Sequence, residues 1–95
     1  MNDFPADAWA PHSLLWKTWG DEVLVYNQDS GMTHQITPIA ARVIHALERQ
    51  PATVAQLSED LARELDVEVD AELCHQVASL LENLNHLGLI RRFSK

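Results

Sequence analysis

Ser30-Gly31-Met32-Thr33-His34-Gln35-Ile36-Thr37-Pro38 is the stretch whose reading decides the fold. Ser30-Gly31 is a turn signal. Met32, His34 and Ile36 alternate with Thr33 and Gln35, the period of a half-buried strand. Thr37-Pro38 then reads as a helix N-cap followed by proline at the first helical position, where a missing N–H is harmless. A strand from Met32 to Ile36 therefore runs straight into a helix.

Working upstream, Asn27 to Gly31 is a loop and Val23 to Tyr26 (VLVY) is a strand apolar on both faces, as a central strand is. Gly20-Asp21-Glu22 is a turn. Leu14 to Trp19 (LLWKTW) is rich in aliphatic and aromatic residues and predicts another strand. Leu14 and Trp16 point one way, Leu15 and Trp19 the other, so its faces stay open. Short loops between consecutive strands favour an antiparallel meander with Val23 to Tyr26 in the centre and Met32 to Ile36 at an edge. Residues 1–12 are short, polar and proline-bearing, and are expected to be loosely ordered, with Trp9 available to pin them down. Residues 13–95 form the single domain.

Downstream the spacing becomes helical. Ile39, Val43, Ile44 and Leu47 give one apolar face from Pro38 to about Arg49, ended by Gln50-Pro51. Thr53 with Gln56 three residues on forms a capping box, and Val54, Leu57, Leu61 and Leu65 line the helix that follows. Asp70 opens a third helix with an acidic start that suits the helix dipole. Leu73, Val77, Leu80, Leu81, Leu84 and Leu87 form its stripe, and Gly88 stands where a left-handed C-cap belongs. Leu89 to Phe93 predicts a short final strand or wing. The fold class is α+β: a small winged helix–turn–helix-like domain, a three-stranded meander followed by three helices and a short C-terminal strand.

The chain has 95 residues, 46% of them hydrophobic, and a formal charge of −7. One modest core must hold a domain of this size. No apolar run approaches a membrane span, and the N-terminus lacks the basic and apolar regions of a secretory signal. Cys74 is the single cysteine. No intrachain disulfide can form, and a reducing, cytoplasmic setting is expected.

The negative charge weighs against nucleic acid, whose phosphates are neutralised by Lys and Arg. By fold, the helix from Asp70 to Leu87 would read DNA, yet it carries Asp70, Glu72 and Glu82 and no Lys or Arg, so the positioning contacts are missing. Catalysis has no candidate residues. Ser13, Ser30, Ser58 and Ser79 stand in no nucleophile motif, and there is no glycine-rich phosphate loop. His12, His34, His45, Cys74, His75 and His86 form no paired metal-ligand spacing, so neither metal nor cofactor is expected.

An edge strand offers unpaired N–H and C=O groups that an extended peptide can satisfy as one further strand. The candidate peptide-binding residues are therefore Met32, Thr33, His34, Gln35 and Ile36 of the strand. Leu73, Gln76, Val77, Leu80 and Leu84 join them from the margin of the third helix's stripe, where core and groove are equally open readings. By the alternation, His34 faces the core with Met32 and Ile36, and Thr33 and Gln35 face outward.

This pattern resembles the PqqD-like peptide chaperones, also called RiPP recognition elements, which bind the leader of a ribosomally made precursor peptide. The residues that carry it are Val23-Leu24-Val25-Tyr26, Ile36-Thr37, Ala40-Ala41, Val43-Ile44, Thr53-Val54-Ala55-Gln56-Leu57 with Leu61, and Leu80-Leu81, Leu84 and Leu87-Gly88-Leu89-Ile90. Most of these motifs are hydrophobic spacings, and their order from Leu14 to Phe93 is the more specific signal. The chain departs from the family in having Thr37 for a usual Asn, and Gln50-Pro51-Ala52 where a Gly usually precedes the Thr of the second helix. It looks most like a subgroup found beside an HPr-kinase-related protein. The resemblance implies a non-enzymatic adaptor that binds a precursor peptide along residues 32–36 against residues 70–87 and presents it to a modifying enzyme. The alternatives are a structural subunit of an enzyme complex or a winged-helix DNA-binding regulator. The edge strand also allows a monomer or a strand-paired or strand-swapped homodimer.

Overall fold

Trp19-Gly20-Asp21-Glu22 closes a two-residue hairpin in which Gly20 takes φ 61°. Such tight hairpins need a positive φ that glycine adopts freely. The hairpin joins β2 (Leu14–Trp19) to β3 (Glu22–Asn27), and β3 pairs in turn with β4 (Thr33–Ile36). All pairings are antiparallel, and the sheet order is β2-β3-β4. The central and edge positions are those the hydrophobic pattern predicts. The computed structural model describes residues 8–93.

Three helices follow: α1 (Pro38–Arg49), α2 (Val54–Leu65) and α3 (Ala71–His86). Each starts on the cap its sequence announces. Thr37 Oγ1 accepts from the Ala40 N–H at 3.1 Å. Thr53 Oγ1 accepts from the Gln56 N–H at 3.2 Å, and Gln56 Oε1 accepts from the Thr53 N–H at 2.9 Å, completing the box. Asp70 Oδ1 accepts from the Leu73 N–H at 2.8 Å. α3 ends on Gly88 at φ 79°, with Gly88 N–H bonded to the Asn85 carbonyl and Leu89 N–H to that of Leu84, both 3.0 Å. This is a Schellman cap, sealed by the buried pair Leu84 and Leu89. α2 stops on Asp66, which takes the left-handed conformation that Asp tolerates better than most residues.

The two ends of the chain require a correction. Of the segment 1–12 expected to be loosely ordered, residues 8–11 are built into the fold, and residues 1–7 lie outside the described ones. Ala8, Trp9 and Ala10 are buried. β1 (Trp9–Pro11) pairs antiparallel with β5 (Ile90–Arg92), and the two form a separate ribbon rather than joining the meander. Trp9 also exchanges two backbone hydrogen bonds with Ala52, at 2.7 and 3.1 Å. Its indole is covered by the Arg92 guanidinium 4.3 Å from the ring centre. Ala52 lies in the connection between α1 and α2, and that loop serves as a docking point for the N-terminal strand.

Two positions in the helical stripes also differ. Ile39 and Leu65 are exposed, because they sit at the first turn of α1 and the last residue of α2, beyond the reach of the core. The core gathers Val25 and Ile36 from the sheet, Ile44 and Leu47 from α1, Leu57 and Leu61 from α2, and Val77, Leu81 and Leu84 from α3. α1 crosses the inner face of the sheet. It leaves β4 at Thr37, and its second half reaches β2, where the Trp16 indole stacks on His45 at 4.0 Å and donates to Glu48 Oε2 at 2.9 Å.

Candidate functional site

The hydrogen-bond alternation of the sheet settles which backbone groups of β4 are free. The Asn27 N–H donates to the Met32 carbonyl at 2.9 Å, which makes that pair a hydrogen-bonded one. In an antiparallel ladder such pairs alternate, so Val25 with His34 and Val23 with Ile36 are bonded in the same way. On the opposite side, the Gln28 N–H donates to the Ser13 carbonyl at 3.0 Å, which turns the intervening residues of β3 toward β2. The two observations agree. Thr33 and Gln35 therefore aim their N–H and C=O groups away from β3, out of the open edge. Met32 precedes the strand, and its N–H is taken up locally by Ser30 Oγ at 3.2 Å.

The side chains follow the alternation. Thr33 and Gln35 are exposed, His34 is half-buried and Ile36 is buried. Met32 breaks the pattern: it is 55% exposed, at the end of the ladder where its carbonyl makes the last bond to Asn27 next to the turn. Across the inner face, Trp16, Val25 and His34 occupy one row. Trp16 is covered by α1, Val25 is fully buried, and His34 ends the row at the open edge. Its Nε2 is buried and has no hydrogen-bond partner.

The candidate residues on α3 split into two sets. Val77 and Leu84 are 2% and 1% exposed, which makes them core residues with no surface to offer. Leu73 and Leu80 are half-buried against that core, and Gln76 is exposed. Leu87 continues the same ridge at seven-residue spacing and is also half-buried. That spacing, two turns of helix, is a signal the sequence already held. Ile36 of β4 belongs to the same core cluster as Val77, Leu81 and Leu84 of α3.

Other surfaces are less organised. On the outer face of the sheet, Leu15, Trp19 and Tyr26 are exposed. Among the described residues no group of three or more His, Cys, Asp or Glu side chains is placed to hold a metal. No helix among them is long and apolar enough to cross a membrane.

A three-helix α+β domain with an open, backbone-presenting edge strand is the class these features define. The family described as coenzyme PQQ synthesis protein D (PqqD) matches residues 22–90, most of the chain, and the protein belongs to that family. A solved structure described as TbiB1 in complex with the TbiA(beta) leader peptide is similar with a TM-score of 0.67. The match covers 86% of this chain and 93% of that one, at 15% identity, which speaks to a shared fold. No curated protein matches the chain.

Proposed function

We propose that this protein is a non-catalytic adaptor, built on a winged-helix-like frame and working in the cytoplasm, that captures the leader of a precursor peptide and presents it to a separate modifying enzyme. The observation that carries this reading is the outward-facing backbone of Thr33 and Gln35 on the free side of β4. A peptide added there satisfies those groups without disturbing a single existing bond of the sheet. Family membership supports the reading, as does the fold shared with a protein solved with a leader peptide. The peptide lies along Thr33 to Ile36 with Met32 at one end, and Leu73, Gln76 and Leu80 supply the α3 side of its groove. Val77 and Leu84 support that side from the core. The modifying enzyme belongs to an HPr-kinase-related system in the narrowest form of this reading.

An adaptor must release its cargo, so a micromolar affinity is expected, on the order of −8 kcal/mol. Fluorescence polarisation with labelled peptides encoded beside the gene tests this. Saturable binding of one of them, with no binding of a scrambled version, is the expected result. Absence of binding by every neighbouring peptide would overturn the reading. A structural-subunit role is the second reading, favoured by the exposed Leu15, Trp19 and Tyr26 on the outer face of the sheet. In that case a neighbouring enzyme co-purifies with the protein and no peptide binds.

A further inference from the structure

We propose that His34 reads the sequence of the captured peptide: the peptide residue seated opposite it carries a hydrogen-bonding side chain that bonds to Nε2, between apolar residues two positions to either side. This inference rests on the strand-addition reading and deepens it. Residues directly opposite one another in a ladder project from the same face. Trp16, Val25 and His34 already form such a row on the inner face, and an added strand extends it by one residue. In an antiparallel addition Thr33 and Gln35 make the hydrogen-bonded pairs, so His34 falls in the intervening pair, where opposed side chains approach most closely.

Its ring is short of one partner. Nε2 is buried and makes no hydrogen bond. Two polar side chains nearby on the sheet, Trp16 of the same row and Asn27 of the next, are committed elsewhere. Trp16 Nε1 donates to Glu48, and Asn27 bonds to the Gly88 carbonyl and to the turn amides of Asp29 and Ser30. Val25, the next residue in the row, has no polar side-chain atom to offer. A polar atom left unsatisfied in this way raises the free energy of the empty protein, and a ligand that supplies the partner recovers it. Aspartate, glutamate, asparagine, glutamine, serine and threonine all qualify. The peptide positions two residues away sit beside Ile36 on one side and, at the end of the ladder, Met32 on the other, whose side chains offer only apolar contact.

A phage-displayed library of random dodecapeptides, selected in parallel on wild type, His34→Phe and His34→Gln, tests this. Wild type and His34→Gln are expected to enrich a hydrogen-bonding residue at one fixed position between apolar ones. His34→Phe, which keeps the ring shape, is expected to keep the apolar spacing and lose that preference. Replacing the enriched polar residue with alanine should weaken wild-type binding about tenfold and leave His34→Phe binding nearly unchanged. The same polar preference on all three proteins, or an apolar residue on wild type, would overturn the role of His34 and leave strand addition standing. No enrichment on any of the three would overturn both.

Discussion

Asn27, the last residue of β3, donates its side-chain amide to the carbonyl of Gly88, 61 residues further along the chain, just past the end of α3. The other side-chain atom, Oδ1, accepts from the backbone of Asp29 at 2.8 Å and of Ser30 at 3.2 Å, shaping the turn that leads into β4. One buried amide thus ties the start of the edge strand to the C-terminal cap of the helix proposed to flank the peptide.

Asn27→Ala removes all of these bonds and leaves the Gly88 carbonyl without its partner. The loss should be about 1–3 kcal/mol, the range for stranding a buried polar group. In a domain this small each 1 kcal/mol lowers the melting temperature by roughly 4–8 °C. Thermal unfolding followed by circular dichroism measures it, and an unchanged midpoint would show that the turn and the cap are held by other means.

Trp9→Ala should cost more. Trp9 is 2% exposed, and its truncation opens a cavity beneath Arg92 while leaving the backbone bridge to Ala52 in place. Substitutions of this kind cost about 3–5 kcal/mol. Urea unfolding should show the loss, and a value under about 1 kcal/mol would mean that β1 docks only weakly.

The contrast between Trp9 and the helix caps shows what the sequence could reveal. Thr37, Thr53 and Asp70 are legible because their partners lie three residues away. The meander is legible because VLVY and its neighbours repeat at the period of a strand. β1 leaves no such trace: it is three residues long, contains proline, and pairs with residues near the middle and the far end of the chain. The candidate site was partly legible for the same reason. Alternation correctly put Thr33 and Gln35 outward and Ile36 inward. It misplaced Met32, which ends the ladder beside the turn and is exposed. It also left groove and core undivided on α3, because the stripe gives leucines to both, and burial separates Val77 and Leu84 from Leu73 and Leu80. Which backbone groups of β4 face outward depends on register against β3, which no local pattern encodes.

Gln35→Pro deletes an outward donor and no bond of the sheet, and proline is tolerated at such an edge position. Peptide affinity should fall at least about fivefold, the worth of one backbone hydrogen bond. Gln35→Ala should bind nearly as wild type, since the backbone and not the exposed side chain makes the contact. Met32→Pro should cost little, because the Met32 N–H is already spent within the turn. Titration of the three folded variants with one peptide checks the order, and equal affinity for Gln35→Pro and wild type would contradict the edge-strand account.

Duplex DNA should not bind at physiological salt. The net charge is −7, and α3 carries Glu72 and Glu82 without one Lys or Arg. Glu82 lies 3.8 Å from Arg92, so part of the scarce positive charge on β5 is already engaged. A gel-shift assay checks this; a sequence-specific shift would reinstate the DNA-binding alternative.

Amide hydrogen exchange by NMR, with and without a binding leader peptide encoded beside the gene, tests the central claim most directly. In the free protein the amides of His34 and Ile36 should be protected by β3, and those of Thr33 and Gln35 should exchange freely. Saturating peptide should slow exchange at Thr33 and Gln35 in particular, with shifts spreading to Leu73, Gln76 and Leu80. Binding that leaves those two amides unprotected, or that protects β2 instead, would show that the peptide does not add to β4.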